Sequence, residues 1–196
     1  MASEFLTYLQ LGFGHIADLG AVDHLVFLVA LVAGYGRRDW KPLLWLVTAF
    51  TLGHSITLVL ATTGLVHVPS RLTEALIALT IVLTGAFGVW TCRRTPVNGG
   101  VPSPRLRYAM AGGFGLIHGL GFSSFLRALL GAEESITLPL FAFNVGLEVG
   151  QLLVVGAILA AGEFACGVLR LPRPRWALAL SLVALLFGAR LLAARL

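Results

Sequence analysis

Residues 49–60 read AFTLGHSITLVL, a segment apolar enough to cross a membrane but with His54 at its centre. Almost the same frame returns at residues 142–154 as AFNVGLEVGQLLV, where Glu148 takes the place of Ser55. An ionisable side chain inside hydrocarbon costs roughly 2.5–3.5 kcal/mol on insertion scales, so it persists mainly where it faces a cavity or a partner. The repeated frame therefore predicts a transport or metal site between two halves of a membrane protein.

The composition argues against an ordinary soluble domain. Of the 196 residues, 58% are hydrophobic and 12% are charged, whereas soluble domains use roughly 45–50% and 25%. The mean hydropathy is +0.91. About six spans of ~20 residues with short loops would use the whole length. We therefore predict an all-α polytopic membrane protein with a single transmembrane domain over residues 1–196.

Six spans are predicted from the apolar stretches. The first ends near residue 34, and the others cover residues 42–63, 72–90, 106–130, 138–161 and 176–194. A polar linker at residues 93–107 separates repeat one, residues 1–92, from repeat two, residues 108–196. Each half then contains three spans.

The two halves also match near their starts. FGHIADLG at residues 13–20 aligns with FGLIHGLG at residues 114–121, which pairs Gly14 with Gly115, 101 residues apart. With three spans in each half, the two copies must have opposite orientations in the membrane. We therefore predict two inverted three-helix repeats, the design in which transporters hold their sites near the midplane at the repeat interface.

The basic residues predict the orientation of the chain. Ten of the 14 Lys and Arg follow spans one, three and five, whereas the loop after span four carries Glu133 and Glu134. By the positive-inside rule the basic loops face the cytoplasm, so we expect both termini outside it, in a bacterial inner membrane. The net charge of +5 is then a topology signal, and no nucleic acid partner is expected.

Three residues are predicted to form the centre of the site. His54, His118 and Glu148 each lie about 11–13 residues from the start of a predicted span, which places them at one level. Polar residues in the same two frames support them, namely Thr51, Ser55, Asn144 and Gln151. The alternative for a lone membrane histidine is a packing residue that is satisfied by a hydrogen bond.

The first span adds four further candidates, His15, Asp18, Asp23 and His24. On one regular helix these side chains point in different directions, so they can serve one path only if the helix breaks near residues 19–21. The alternative for Asp18, Asp23 and His24 is a set of interfacial groups solvated by water at the headgroups.

The donor types limit the ligand. Imidazole and carboxylate without thiolate suit nickel, cobalt or zinc better than calcium or copper(I), and Cys92 and Cys166 lack CxxC spacing. Lys41 is the only lysine and does not lie in a Walker A sequence, so no ATPase site is expected in this chain. The expected partners are the lipid bilayer and the metal ion, and a homo-oligomer is left open.

Five segments in order are LGFGHI…VDHLVFLVAL, FTLGHSITL, VPSRLTEALIALTIV, FGLIHGLGF and FNVGLEVGQ. In order and spacing they resemble the HupE/UreJ family of nickel/cobalt permeases. The resemblance implies a six-span membrane protein that moves nickel or cobalt, often in connection with hydrogenase or urease maturation. It also implies metal-related roles for His15, Asp23, His24, His54, His118 and Glu148.

The chain departs from the family pattern at two places. Seven residues separate His15 from Asp23 where the family usually has five, which leaves either His15 or Asp18 as the outer ligand. The sequence after His118 also lacks the glutamate of the His-Gly-x-Glu motif that some members carry, and Glu148 is the candidate that replaces it.

We therefore expect a permease, not an enzyme, whose substrate is a divalent metal ion: nickel or cobalt, with zinc left open. The metal would pass Asp18, Asp23 and His24 from outside, then His54, His118 and Glu148, and leave on the basic side. Two alternatives belong to other classes. One is an intramembrane zinc metallohydrolase, and the other is a b-type haem protein with paired axial histidines.

Overall fold

The computed structural model describes residues 2–18, 22–94, 104–130 and 135–196. These residues form seven α-helices and no strand, with a short 3₁₀ turn at Arg37–Asp39. The helices are α1 (Ala2–Ala17), α2 (Val22–Val32), α3 (Trp40–Thr62), α4 (Ser70–Arg94), α5 (Pro104–Leu130), α6 (Thr137–Gly167) and α7 (Arg173–Arg195). Residues 19–21, where the sequence predicts a helix break, and the acidic residues 133–134 lie outside the described residues.

The all-α polytopic fold is confirmed. Five helices, α3 to α7, are long and apolar enough to cross a membrane. The short helices α1 and α2 meet the same criterion only as a pair bent by 69°, which gives six candidate spans when the pair is counted as one. The first span is therefore not one straight helix, in agreement with the break that the opposed directions of its polar residues predict.

Several helices extend beyond the predicted spans. Helix α6 has 31 residues and is about 46 Å long, whereas the hydrocarbon layer is about 30 Å thick. Helix α4 continues to Arg94 and α5 begins at Pro104, so helix occupies both flanks of the predicted linker at residues 93–107. The predicted spans are shorter than the helices because an apolar stretch indicates only the part of a helix within the hydrocarbon layer. The helical hydrogen bonds continue beyond that layer.

Arg107 corrects the assumption that every basic residue near the linker is a solvated loop charge. Its side chain is buried, and its Nη1 donates to the carbonyl oxygen of Leu31 at 3.1 Å. The guanidinium also lies 5.2 Å from the ring centre of Tyr35 and 5.4 Å from that of Phe87. Because Leu31 is in the last turn of α2, a cation here complements the negative end of that helix.

Glycines allow α3 and α5 to approach until their backbones touch. A side chain at Gly53 would collide with the carbonyl of Gly112, and one at Gly115 would collide with the carbonyl of Phe50. Contacts advance along both helices in the same direction, so α3 and α5 run parallel. Close packing through small residues is the usual means of helix association in a membrane.

Helices α1 and α6 repeat this arrangement. A side chain at Gly12 would collide with the carbonyl of Phe143, and one at Gly146 with that of Leu9. Gly146 thus matches Gly53, at the spacing of the repeated frame. The shared contacts support a repeat, whose inverted orientation stays a prediction.

The contacts correct the predicted register of the first match. Gly12, not Gly14, has the backbone contact that corresponds to Gly115, since a side chain at Gly14 would meet nothing within 4 Å. The offset is therefore 103 residues instead of 101, and it pairs His15 with His118. The sequence cannot determine this register, because Gly12 and Gly14 match the second copy equally well. In the structure only Gly12 faces the partner helix α6.

The backbone contact at Gly115 predicts a large difference between two substitutions in one helix. Gly115→Ala would force α5 away from α3 and should cost at least 1–3 kcal/mol, the usual cost of overpacking. Gly113 is the matched control, because a side chain there meets nothing within 4 Å. Gly113→Ala should be neutral or stabilising by up to ~1 kcal/mol through helix propensity. Equal unfolding midpoints for both variants in detergent would contradict this account of the interface.

Candidate functional site

Four imidazole rings from four helices meet in the interior. They belong to His15 on α1, His24 on α2, His54 on α3 and His118 on α5. His24 lies centrally, with its ring centre 4.7 Å from that of His15 and 4.8 Å from that of His118. The ring of His54 is 5.9 Å from His15 and 6.5 Å from His24. We call these four residues the imidazole cluster.

Phenylalanines surround the imidazole cluster. Phe122 lies 4.1 Å from His15, and Phe27 lies 4.9 Å from His118, between ring centres. Phe143 stacks on His54 with an angle of 18° between the ring planes. Around the buried rings of His24, His54 and His118, these aromatic walls lower the local dielectric constant, which strengthens electrostatic interactions there.

The imidazole cluster contains buried nitrogens without a partner. Among the residues that the structure describes, six ring nitrogens are buried and make no hydrogen bond: Nε2 of His15, both nitrogens of His24, both of His54, and Nδ1 of His118. Each unpaired buried polar atom costs about 1–3 kcal/mol. A neutral imidazole keeps one lone pair, so four lone pairs in one place can be offered to a cation.

Thr80 fixes which nitrogen of His118 carries the proton. Its hydroxyl oxygen is 2.6 Å from the carbonyl oxygen of Ile77 and 2.9 Å from Nε2 of His118. A carbonyl oxygen only accepts, so we assign the hydroxyl proton to the shorter contact, with Ile77. Nε2 of His118 then donates to Thr80, and the lone pair is on Nδ1, the nitrogen without a partner. Such an outer hydrogen bond sets the tautomer and orientation of metal-binding histidines.

Glu148 has its own hydrogen-bond partner. The hydroxyl of Thr48 donates to Oε1 of Glu148 at 2.6 Å. Thr48 precedes His54 by six residues in α3, or about 9 Å along the helix. The carboxylate is therefore bound at a different level of α3 from the imidazole of His54, and its use as a direct ligand beside that ring stays a prediction.

Of the four supporting residues, Thr51 and Gln151 bond across α3 and α6, whereas Ser55 and Asn144 bond within their own helices. Thr51 donates to Oε1 of Gln151 at 2.8 Å, and this bond lies between the level of Glu148 and that of the imidazole cluster. Ser55 donates to the carbonyl of Thr51, and Asn144 to that of Leu140. Oδ1 of Asn144 and Nε2 of Gln151 are buried without a partner in the described part of the chain.

The two aspartates of the first span have separate environments. Asp18 and His15 line one open groove of about 510 Å³ between α1 and α5, with Phe122 and Phe125 opposite. Asp23 instead forms an ion pair with Arg195, with 3.1 Å between Oδ2 and Nη2. Of the seven predicted metal residues, the structure thus brings four histidines together and gives the three carboxylates other contacts.

A finished coordination shell is not present. Within residues 2–18, 22–94, 104–130 and 135–196, no group of three or more His, Cys, Asp or Glu side chains has the arrangement of a metal-binding set. The imidazoles meet mainly edge to face, as between His24 and His118 at 77°. Ligation of a metal by these rings is therefore a hypothesis, and it requires them to turn.

Three polar residues of the site are missing from the sequence-based prediction. They are Thr48, Thr80 and Arg195. A signal for Thr80 does exist, because the buried threonines at positions 73, 80, 84 and 91 follow one face of α4. Thr48 lies outside the repeated frame, and nothing in the sequence connects Arg195 with Asp23.

The bond from His118 to Thr80 predicts a defined tautomer. Nitrogen-15 NMR of the selectively labelled protein should show Nε2 of His118 protonated and Nδ1 unprotonated. Thr80→Val keeps the shape of the side chain, removes the acceptor and should release the ring into a mixture of tautomers. Thr84→Val is the control, because Thr84 lies one turn away and bonds to the carbonyl of Thr80. An unchanged His118 spectrum in Thr80→Val would contradict the assignment.

Comparison with known proteins agrees with the resemblance carried by the five segments. No curated protein and no solved structure matches the chain significantly. A family model described as HupE / UreJ protein matches residues 1–191. This family is linked to nickel and cobalt transport, and it is a transporter family rather than an enzyme family. Because the match covers nearly the whole chain, the protein belongs to the HupE/UreJ family.

Proposed function

We propose that this protein is a permease for a divalent transition metal, with nickel as the first candidate, and that the ion passes through the imidazole cluster. The observation that carries the proposal is the set of six buried ring nitrogens without hydrogen-bond partners among the described residues. A packing role would favour satisfied nitrogens, because each unsatisfied one destabilises the fold. A substrate that binds lone pairs explains why the four rings are kept together.

The donors favour borderline metals. Neutral imidazole binds nickel, cobalt and zinc well, whereas calcium and magnesium prefer oxygen ligands. The family's link to nickel and cobalt favours these two over zinc. The cluster contains no thiolate, so its donors do not favour copper(I).

We infer that Glu148 provides a second position on the path. The ion would leave the imidazole cluster, pass the bond between Thr51 and Gln151, and reach the carboxylate that Thr48 holds. Helix α3 begins near the basic loop after α2, so Glu148 lies on the side of the cluster that faces the basic end. The carboxylate would draw the cation toward that side.

We propose that the basic end faces the cytoplasm and that both termini lie outside it. Arg173, at the start of α7, and the main chain of Arg37 both bond to Glu163 near the end of α6. Arg195, at the other end of α7, contacts Glu74 near the start of α4. Positive charge concentrated at one end is the usual marker of the cytoplasmic face.

Transport is favoured over the two alternatives. The metallohydrolase would belong to an enzyme class, whereas the family is one of transporters. The haem alternative uses His54 and His118 as an axial pair, yet the ring of His118 contacts Phe50 and Phe27, at 5.3 and 4.9 Å between centres. A flat macrocycle between the two histidines would have to displace these aromatic rings.

Uptake of nickel into proteoliposomes tests the proposal directly. His54→Ala and Glu148→Gln should each reduce uptake to background while leaving membrane insertion intact, because loop charges determine topology. Glu163→Gln is the matched control, since it makes the same change in the same helix at an exposed carboxylate that pairs with Arg173. Cobalt, zinc and manganese compared with nickel would establish the selectivity. Wild-type rates in both variants at equal protein level would show that these residues take no part in transport.

A further inference from the structure

We propose that Arg195 is a displaceable counter-ion that occupies Asp23 until a divalent metal ion replaces it. Its guanidinium would act as an electrostatic gate beside the imidazole cluster. The inference rests on the proposed function, because it assigns a step of metal permeation to a residue outside the predicted ligand set. Arg195 also lies beyond the residues 1–191 that match the family model, so the argument depends only on contacts of this chain.

Arg195 connects three helices through one side chain. Its Nη2 is 3.1 Å from Oδ2 of Asp23 on α2. Its Nε is 3.7 Å from Oε2 of Glu74 on α4, and its Nη1 donates to the carbonyl oxygen of Glu74 at 3.0 Å. Arg71 holds the end of α7 in place by donating to the main-chain oxygen of Leu196 at 2.6 Å.

The pair with Asp23 is shielded from solvent, unlike the ion pair at the opposite end of α7. The side chains of Arg195 and Asp23 are 21% and 22% exposed, whereas those of Arg173 and Glu163 are 59% and 40% exposed. Charges that are partly removed from water interact more strongly and are screened less by salt. Oδ2 of Asp23 is therefore occupied, and a second cation would share the carboxylate with the guanidinium or displace it.

The Asp23–Arg195 pair lies between the imidazole cluster and a residue of an open cavity. Asp23 directly precedes His24, whose ring touches those of His15 and His118. Glu74 lines an open cavity of about 340 Å³ between the start of α4 and the end of α5. Arg195 thus joins Glu74, which lines this cavity, to Asp23, the residue that precedes His24 of the imidazole cluster.

Glu74 makes the exchange of cations feasible. When a metal ion binds Asp23, Arg195 can keep its contacts with the side chain and carbonyl of Glu74, so its charge is never left without a partner. An unpaired charge of this kind would be strongly destabilising. The gate then closes again when the ion moves on to the imidazoles.

Arg195→Gln should lower the apparent KM for nickel uptake about fivefold, which corresponds to ~1 kcal/mol, because the metal no longer competes with the guanidinium. The maximal rate should not rise in proportion. Arg173→Gln is the matched control, because it removes an arginine ion pair at the other end of the same helix and should leave the KM unchanged. A merely structural role for Arg195 predicts the reverse pattern, with a reduced maximal rate and an unchanged KM.

Two further variants keep the test decisive. Arg195→Lys retains the charge but cannot contact Asp23 and Glu74 at once, so its KM for nickel should also fall, by a smaller factor than in Arg195→Gln. This variant can be measured even if Arg195→Gln fails to insert into the membrane. In an Asp23→Asn background, Arg195→Gln should produce no further fall in KM. A fall of equal size with and without Asp23 would overturn the gate.

The outcomes separate the gate from the proposed function. Nickel uptake by the wild type together with equal KM values for Arg195→Gln, Arg195→Lys and Arg173→Gln would reject only the gate. Absence of uptake of nickel, cobalt, zinc and manganese by the wild type would reject the proposed function, and the gate with it. A lower KM in the Arg195 variants alone is the result that the structure predicts.

Discussion

The close approach of parallel helices through glycine is the constraint on which the site depends. Gly53 and Gly115 allow α3 and α5 to touch along their backbones, and Gly12 and Gly146 do the same for α1 and α6. In lipid there is no hydrophobic force to hold helices together, so such packing has to supply the association. This packing holds His54 and His118 on the α3–α5 pair and His15 on the α1–α6 pair. The three rings then lie close enough to meet around His24.

The interior of the protein combines aromatic walls with imidazole nitrogens that have no hydrogen-bond partner, and this combination is costly. Aromatic rings remove water from the imidazole cluster, and the removal of water makes each unsatisfied nitrogen expensive. In the proposed function, a metal ion bound to these nitrogens would offset this cost in transit. The hydroxyls of Thr80 and Thr48 hold one atom of His118 and one of Glu148 in hydrogen bonds without adding any charge of their own.

Much of this arrangement could be predicted from the sequence, and the reasons for the remainder are physical. Composition gave the membrane class, and the repeated frame identified His54 and Glu148, because an ionisable residue in an apolar segment is conspicuous. The register of α1 against α6 could not be predicted, since Gly12 and Gly14 are equivalent until a partner helix is present. The roles of Arg107 and Arg195 were also out of reach, because an arginine near a span end is read as a topology signal. Only the fold shows that these two side chains turn inward to the carbonyl of Leu31 and to Asp23.

The central claim is that imidazoles of the cluster bind the transported metal. X-ray absorption at the nickel edge, on purified protein loaded with nickel, tests it most directly because it identifies the ligands. We predict a shell of nitrogen and oxygen atoms with scattering from imidazole rings, weakened in His54→Ala and unchanged in His67→Ala. A shell without imidazole scattering, or one containing sulfur from Cys92 or Cys166, would contradict the claim.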